Sequence, residues 1–173
     1  MTIKIGDRLP AGTLAEATHF DEAAGCPMNP EEVDVLAACR GKRIVVFGLP
    51  GAYTPTCSAR HLPGYLAQHP ALKAKGVDEI WCVATNDAFV MGAWGRDQKT
   101  GGKLRMMADG SAAFAQATGL TLDLTAKGMG LRSNRYSMLV VDGVVKSLNV
   151  EAPGKFEVSD AATLLKQAQS LPA

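Results

Sequence analysis

Ile44-Val45-Val46-Phe47-Gly48-Leu49-Pro50-Gly51-Ala52-Tyr53-Thr54-Pro55-Thr56-Cys57 sets a continuous apolar run directly against a tight turn and a helix start. The run 44–49 is rich in β-branched residues and bounded by Arg43 and Pro50, as expected of a strand covered on both faces. A second run of the same kind, Glu79-Ile80-Trp81-Cys82-Val83-Ala84-Thr85, follows a helical pattern from Pro55 to about His69. Pro63-Gly64 interrupts that pattern, so a kink is predicted there. Strand, crossover helix and strand make a βαβ unit, which implies a parallel pair with a right-handed connection.

Working outward, residues 11–43 are poor in periodicity and carry loop punctuation at Gly25-Cys26-Pro27-Met28-Asn29-Pro30; a short helix is expected from Glu31 to about Cys39. Ala88 to about Lys99 reads as a helix, Leu104-Arg105-Met106-Met107 as a short strand, and Gly110 to Thr118 as an alanine-rich helix stopped by Gly119. Arg135 to Val141, a turn at Asp142-Gly143, and Val144 to Val150 form a hairpin, because Asp-Gly supplies the positive φ angles of a two-residue turn. Ser159 is expected to cap a closing helix whose Leu164, Leu165, Ala168 and Leu171 share one face. The sum is an α/β fold with a mixed central sheet and helices on both sides. No repeat or linker divides the chain, so 1–173 is expected to be one domain.

The chain has 173 residues, of which 47% are hydrophobic and 20% charged, and its net charge is +1. No stretch approaches the ~20 apolar residues of a membrane helix. Eighteen basic against seventeen acidic residues leave no electrostatic footprint for nucleic acid or an acidic membrane surface. The polar start, Met-Thr-Ile-Lys-Ile-Gly-Asp-Arg, has no apolar core of a secretory signal. Cysteines at 26, 39, 57 and 82 match no C-x-x-C or small-domain disulfide spacing, so a reducing cytoplasm is the expected compartment.

Cys57 is the cysteine whose setting has chemical meaning. Thr54 stands at a helix N-cap and Pro55 at the first helical position, where proline has no amide to waste. Cys57 falls in the first turn, among unpaired amides at the positive end of the helix dipole, a place that stabilises negative charge on sulfur. On spacing alone the alternative stays open that Thr-Pro only starts a helix and Cys57 is core.

Pro50-x-x-x-Thr54-x-x-Cys57 matches the signature of the peroxiredoxins, thiol peroxidases of thioredoxin-like fold. The run from Gly48 to Tyr65 resembles their atypical type II branch, the peroxiredoxin-5-like one. So do Thr85-Asn86-Asp87-Ala88-Phe89-Val90-Met91 with Trp94, and Arg135-Tyr136-Ser137-Met138 before Asp142-Gly143. The resemblance covers nearly the whole chain. It implies that Cys57 is the peroxidatic cysteine, whose thiolate attacks the O–O bond and becomes a sulfenic acid. It implies that the Thr54 hydroxyl bonds sulfur and peroxide, that Arg135 stabilises the developing negative charge, and that Pro50 shields the pocket from water. A guanidinium with several donors suits a transition state whose charge spreads over sulfur and two oxygens.

In two-cysteine members of that branch a resolving cysteine follows the hairpin. Here residues 149–159, Asn-Val-Glu-Ala-Pro-Gly-Lys-Phe-Glu-Val-Ser, hold none, and Ser159 stands where the sulfur would be. The resemblance therefore implies resolution by an external thiol: glutathione with glutaredoxin first, thioredoxin second. It implies hydrogen peroxide and small organic hydroperoxides as substrates, no haem, flavin or metal cofactor, and a homodimer. Cys82 matches a second cysteine of type II members but lies mid-strand, where an inert buried sulfur is the expectation; Cys26 and Cys39 match nothing in the family. Cys57 and His61 are four apart, a spacing open to metal binding or a Cys–His pair, yet His19 and His69 offer no partner spacing. His61 belongs to the family block His-Leu-Pro-Gly and could shape the pocket rim. Gly128-Met129-Gly130 is no dinucleotide fingerprint. The alternative from another class is a thioredoxin-fold redox sensor or chaperone-like binding protein using Cys57 as a switch.

Overall fold

The computed structural model describes residues 1–170. Its frame is a seven-stranded sheet. β5 (Arg43–Gly48) and β6 (Glu79–Ala84) lie at its centre and pair in parallel, as the βαβ reading predicts. β7 (Arg105–Ala108) continues the parallel set beside β6. The hairpin β10 (Tyr136–Val141) and β11 (Val144–Val150) adds antiparallel strands on the other side of β5. Asp142 and Gly143 take φ of 48° and 77°, the left-handed pair that a two-residue turn needs. The result is the thioredoxin-like α/β fold expected, with a mixed sheet.

Alternation along β5 divides the core in two. Val45 and Phe47 point into one cluster with Cys57, Leu62, Tyr65, Met91, Trp94 and Leu164; Ile44 and Val46 point into another with Val35, Cys39, Phe114 and Met138. α2 (Leu62–Ala74), α3 (Ala88–Asp97) and α5 (Ala161–Ser170) supply the first cluster, and α1 (Val35–Cys39) and α4 (Ala113–Thr118) the second. Helices therefore cover both faces, and β5 is buried because each of its sides meets apolar partners. At roughly 25 cal/mol per Å² of apolar surface removed from water, burial of this kind dominates the stability of such a sheet.

Several local expectations change. The sequence reads residues 31–39 as a helix, but Glu31–Asp34 is β4, paired antiparallel with β1 (Thr13–Glu16) at the sheet edge. Only Val35–Cys39 is helical, because Asp34 accepts from the Ala37 amide at 2.8 Å and caps it. Residues 11–30 contain two further short strands, β2 (His19–Asp21) and β3 (Cys26–Met28). A small hairpin, β8 (Thr121–Leu124) with β9 (Gly130–Ser133), is a further element that the sequence pattern does not announce. α4 begins at Ala113 rather than Gly110, since the Asp109 carboxylate takes the Phe114 and Ala115 amides at 3.0 and 2.8 Å. The cap of α5 is Asp160, which accepts from Thr163 N–H, and not Ser159. Leu171 lies outside the described residues.

The kink predicted at Pro63-Gly64 takes another form. A π-helical turn, Cys57–His61, precedes α2, and the Leu62 amide donates to the Cys57 carbonyl five residues back. Pro63 follows within the continuous helical stretch that Pro55 opens, directly after the wider π turn, and removes one backbone donor from it. The helix runs on past His69 to Ala74.

Candidate active site

The register of the central strands sets the site. Tyr136 pairs with Gly48, so Arg135, one residue earlier, lies opposite the start of the loop that carries Pro50, Thr54 and Cys57. A Cβ at Gly48 would stand 2.1 Å from the Tyr136 ring, so only glycine lets β10 approach β5 here. The loop is fixed from two sides. Asn86, after β6, accepts from the Ala52 amide at 2.8 Å, and Arg132 of β9 donates to the Pro50 carbonyl at 3.2 Å. Gly51 fits between them: a Cβ there would meet Arg132 at 2.8 Å and Asn86 at 3.5 Å.

Cys57 is the third residue of the helix that Pro55 opens, and it is fully buried. Arg135 Nη2 donates to Cys57 Sγ at 3.2 Å. The other terminal nitrogen, Nη1, donates to His61 Nδ1 at 3.0 Å. His61 Nε2 faces the Ser159 carbonyl at 3.1 Å, which makes Nε2–H the protonated nitrogen and Nδ1 the acceptor. Burial, and then the charge of Arg135, hold the imidazole down at about 3, so it is neutral at physiological pH. Phe47, Tyr65 and Phe156 pack around it, with ring centroids 5.0, 5.7 and 4.9 Å away.

Behind His61 the segment after β11 is tied into a strap. Glu151 Oε1 accepts from the amides of Glu157, Val158 and Ser159 at 2.7, 2.7 and 2.8 Å and from the Ser159 hydroxyl at 3.0 Å. Burial disfavours its charge, but these donors prevail and lower its pKa. Ser159 offers its carbonyl to both His61 and the Tyr65 hydroxyl, the latter at 2.9 Å. A continuous run of contacts therefore leads from Glu151 through Ser159 and His61 to Arg135 and the sulfur.

A buried cysteine near a helix start is thus bonded to an arginine that a different strand delivers. The comparisons place it in a family. The redoxin family profile matches residues 4–165. Peroxiredoxin-2B of Arabidopsis thaliana is 44% identical over 164 residues, 95% of this chain and 97% of that protein. The chain belongs to the peroxiredoxin family. A solved structure of reduced Prx3 from Vibrio vulnificus, in complex with hydrogen peroxide, is 47% identical with a TM-score of 0.87, covering 96% of this chain and 99% of that one. A structure from Burkholderia cenocepacia, provisionally described as a thioredoxin reductase, is 58% identical over the whole of both chains with a TM-score of 0.91. Its description is its own; the peroxiredoxin relatives support thiol-dependent peroxidase activity for this chain.

In this peroxiredoxin the residues singled out from the sequence fall together: Cys57 and Arg135 are bonded, and Arg135 and Pro50 line one cavity of about 250 Å³. Thr54 differs from its expected cap role. Its hydroxyl donates to the Gly51 carbonyl at 2.7 Å instead of accepting a helix amide, while its own carbonyl takes the Ser58 amide. Thr54 thus ties off the loop, and its oxygen keeps acceptor capacity. The larger hollow, about 790 Å³ between α3 and the β2–β3 hairpin, is lined by neither Cys57 nor Arg135.

The other cysteines separate by burial. Cys82 pairs in register with Phe47 and is fully buried; desolvation, then the neighbouring Cys57, pushes its pKa well up. Cys39 is pushed up to about 11 by burial and by Glu79. Cys26 lies on β3, its Sγ 3.8 Å from Met28 Sδ. His61 is not arranged with Cys57 as a ligand pair, because both of its nitrogens are engaged elsewhere.

Sequence reading left Glu151, Asn86 and Arg132 without a role. Asn86 lies within one of the family blocks, but nothing in spacing says that the Glu151 carboxylate will collect three amides of residues 157–159. His61 carried a usable signal, four residues after Cys57 on the same helical stretch. The partner it implied was Cys57, whereas the partner it has is Arg135.

Proposed function

We propose that this peroxiredoxin reduces hydrogen peroxide and small organic hydroperoxides through Cys57, in antioxidant defence and cell redox homeostasis. The observation that carries the reading is the 3.2 Å bond from Arg135 to the Cys57 sulfur inside a desolvated pocket. The thiolate displaces at the O–O bond: a new S–O bond forms, the O–O bond breaks, and the leaving oxygen takes a proton to depart as water or alcohol. Cys57 becomes a sulfenic acid. Arg135 holds charge on sulfur and on the parting oxygens, where a fixed donor in a dry site is most effective. The Thr54 oxygen, with its proton committed to Gly51, accepts the proton-bearing end of the peroxide. Pro50 closes the rim.

Recycling uses an external thiol: glutathione with glutaredoxin, with thioredoxin as second choice. Ser159 occupies the place of a resolving cysteine, and Cys39 and Cys82 are locked in the core. Resolution requires the first turn to open, since Cys57 is covered. The π-helical turn at Cys57–His61 is a weak point suited to that, because π turns interrupt the regular ladder. Type II, atypical membership, a cytoplasmic location and a homodimer complete the reading.

The test is peroxide-dependent turnover of wild type beside Cys57→Ser, with glutathione plus glutaredoxin and, separately, thioredoxin as donors. Turnover should vanish in the variant and be faster with glutathione. Persistent activity in Cys57→Ser overturns the assignment. One oxidation without turnover would make Cys57 a switch instead.

A further inference from the structure

The hollow beside Arg135 is lined by three more cations, Arg60, Lys127 and Lys155, and by the apolar side chains of Leu122 and Leu124, without a carboxylate among its lining residues. The chain as a whole carries eighteen basic and seventeen acidic residues, so this concentration of one sign is local. Among the described residues no carboxylate lies within ion-pair distance of Arg60, Lys127 or Arg135. Lys155 alone has one, Glu157 at 3.7 Å, with both side chains more than half exposed and the pair correspondingly weak. Arg60 and Arg135 also share the Phe156 ring, at 4.9 and 5.8 Å from its centroid. Four like charges gathered around one concavity repel one another unless an anion joins them.

The volume points the same way. About 250 Å³ is far more than peroxide needs, since a water-sized molecule occupies ~30 Å³. Arg135 bridges the cavity and the sulfur, so an occupant lies one guanidinium away from Cys57. We propose that this cavity is a subsite for the carboxylate of a small-molecule thiol, held by Lys127 and Lys155 while its sulfhydryl reaches oxidised Cys57. The inference rests on the peroxidase reading and names the site its reductant uses. The thiolate attacks the Cys57 sulfenic sulfur: an S–S bond forms, the S–O bond breaks, and hydroxide leaves with the thiol's proton as water. A second thiol then attacks the mixed disulfide, releasing the small-molecule disulfide and returning Cys57 as thiolate.

The experiment oxidises the protein with one equivalent of hydrogen peroxide. It then follows its reduction in stopped flow by glutathione, by esterified glutathione and by neutral 2-mercaptoethanol. The ratio of the glutathione rate to the 2-mercaptoethanol rate should fall about tenfold, ~1.4 kcal/mol, in Lys127→Glu/Lys155→Glu. It should fall less in Lys127→Gln/Lys155→Gln, whose neutral side chains guard against a folding defect. High salt and esterification should each lower the wild-type preference, because exposed charge contacts are screened. A ratio that is the same in wild type and both variants overturns the subsite. A further arm compares a carboxylated alkyl hydroperoxide with hydrogen peroxide as oxidant. If the variants slow only that oxidation and leave the thiol ratio intact, the carboxylate belongs to the peroxide and the thiol subsite is overturned. Failure of hydrogen peroxide to oxidise Cys57 at all overturns the peroxidase reading itself, whereas normal oxidation with charge-blind reduction overturns only the subsite.

Discussion

Replacing His61 should slow peroxide attack although His61 does not touch the sulfur. Arg135 has its two terminal nitrogens divided between Cys57 Sγ at 3.2 Å and His61 Nδ1 at 3.0 Å. His61→Ala leaves one N–H of a buried cation without an acceptor, and a hydrogen bond to a charged group is worth ~1.5–3 kcal/mol. The guanidinium recovers that loss only by turning toward another acceptor, which draws Nη2 away from the sulfur. Losing the better part of that contact in the transition state lowers the rate about 10- to 100-fold, at ~1.4 kcal/mol per factor of ten. The truncation also opens a cavity among Phe47, Tyr65 and Phe156, so stability should fall by about 3 kcal/mol. His61→Gln separates the two effects, since its amide offers one acceptor and one donor and can serve both Arg135 and the Ser159 carbonyl. The assay is stopped-flow tryptophan fluorescence on mixing with hydrogen peroxide. Trp94 donates from Nε1 to Ser58 Oγ at 3.2 Å and so reports on the residue next to Cys57. The expectation is a 10- to 100-fold loss in His61→Ala and a large part of the rate restored in His61→Gln. A folded His61→Ala protein oxidising at the wild-type rate would refute the positioning role.

Arg135→Ala should slow oxidation of Cys57 by about 10² or more, as removal of one preorganised donor to developing charge commonly does; an unchanged second-order rate constant would remove Arg135 from the mechanism. Cys82→Ser should leave that first oxidation step nearly intact, because Cys82 is inert in the core; a collapse in a variant that is still folded would show that its sulfur takes part. Acid should destabilise the fold through His61. Its pKa is about 3 in the folded state against 6.5 in the unfolded chain, so the unfolded state binds the extra proton between those values. The stability that neutral His61 contributes is fully present above pH 6.5 and is lost by ~1.4 kcal/mol per pH unit as pH falls toward 3. Glu151 and Asp160, both lowered, act in the same sense at lower pH. Denaturant midpoints measured from pH 7 to pH 4 should fall steadily in wild type and less in His61→Gln; equal slopes would show that His61 is not the titrating group.

The parts of this molecule legible in the sequence are those with a local cause. The runs that became β5 and β6 are apolar on both faces, and the Asp142-Gly143 turn declares itself through its positive φ. Thr54-Pro55 places Cys57 in a first turn by spacing alone. What was not legible depends on contacts distant in the chain. β4 is charged at Glu31 and Glu32 and looks like a helix start; it becomes a strand because β1 presents an edge for it to pair with. Asp160 and Ser159 are equally good caps on paper, and the choice falls to Asp160 because the Ser159 hydroxyl is already given to Glu151, eight residues back. Arg135 could be paired with Cys57 only through a resemblance, since 78 residues separate them and the register of β10 against β5 is what closes the gap.

The strap at residues 151–159 joins the missing cysteine to the geometry of the arginine. Six hydrogen bonds converge on it: four on Glu151 Oε1 and two on the Ser159 carbonyl. A resolving sulfur at residue 159 would have to leave this position and travel to Cys57, breaking the contacts on Ser159 at every turnover. It would also release His61, and with it the second anchor of Arg135, just when the guanidinium must be in place for the next peroxide. A serine lifts that conflict. Its hydroxyl adds the fourth donor to Glu151, and its carbonyl holds His61, which in turn holds the arginine from behind. On the proposed reading, segment 151–159 thus supports Arg135 from behind, and an external thiol supplies the resolving sulfur that residue 159 lacks.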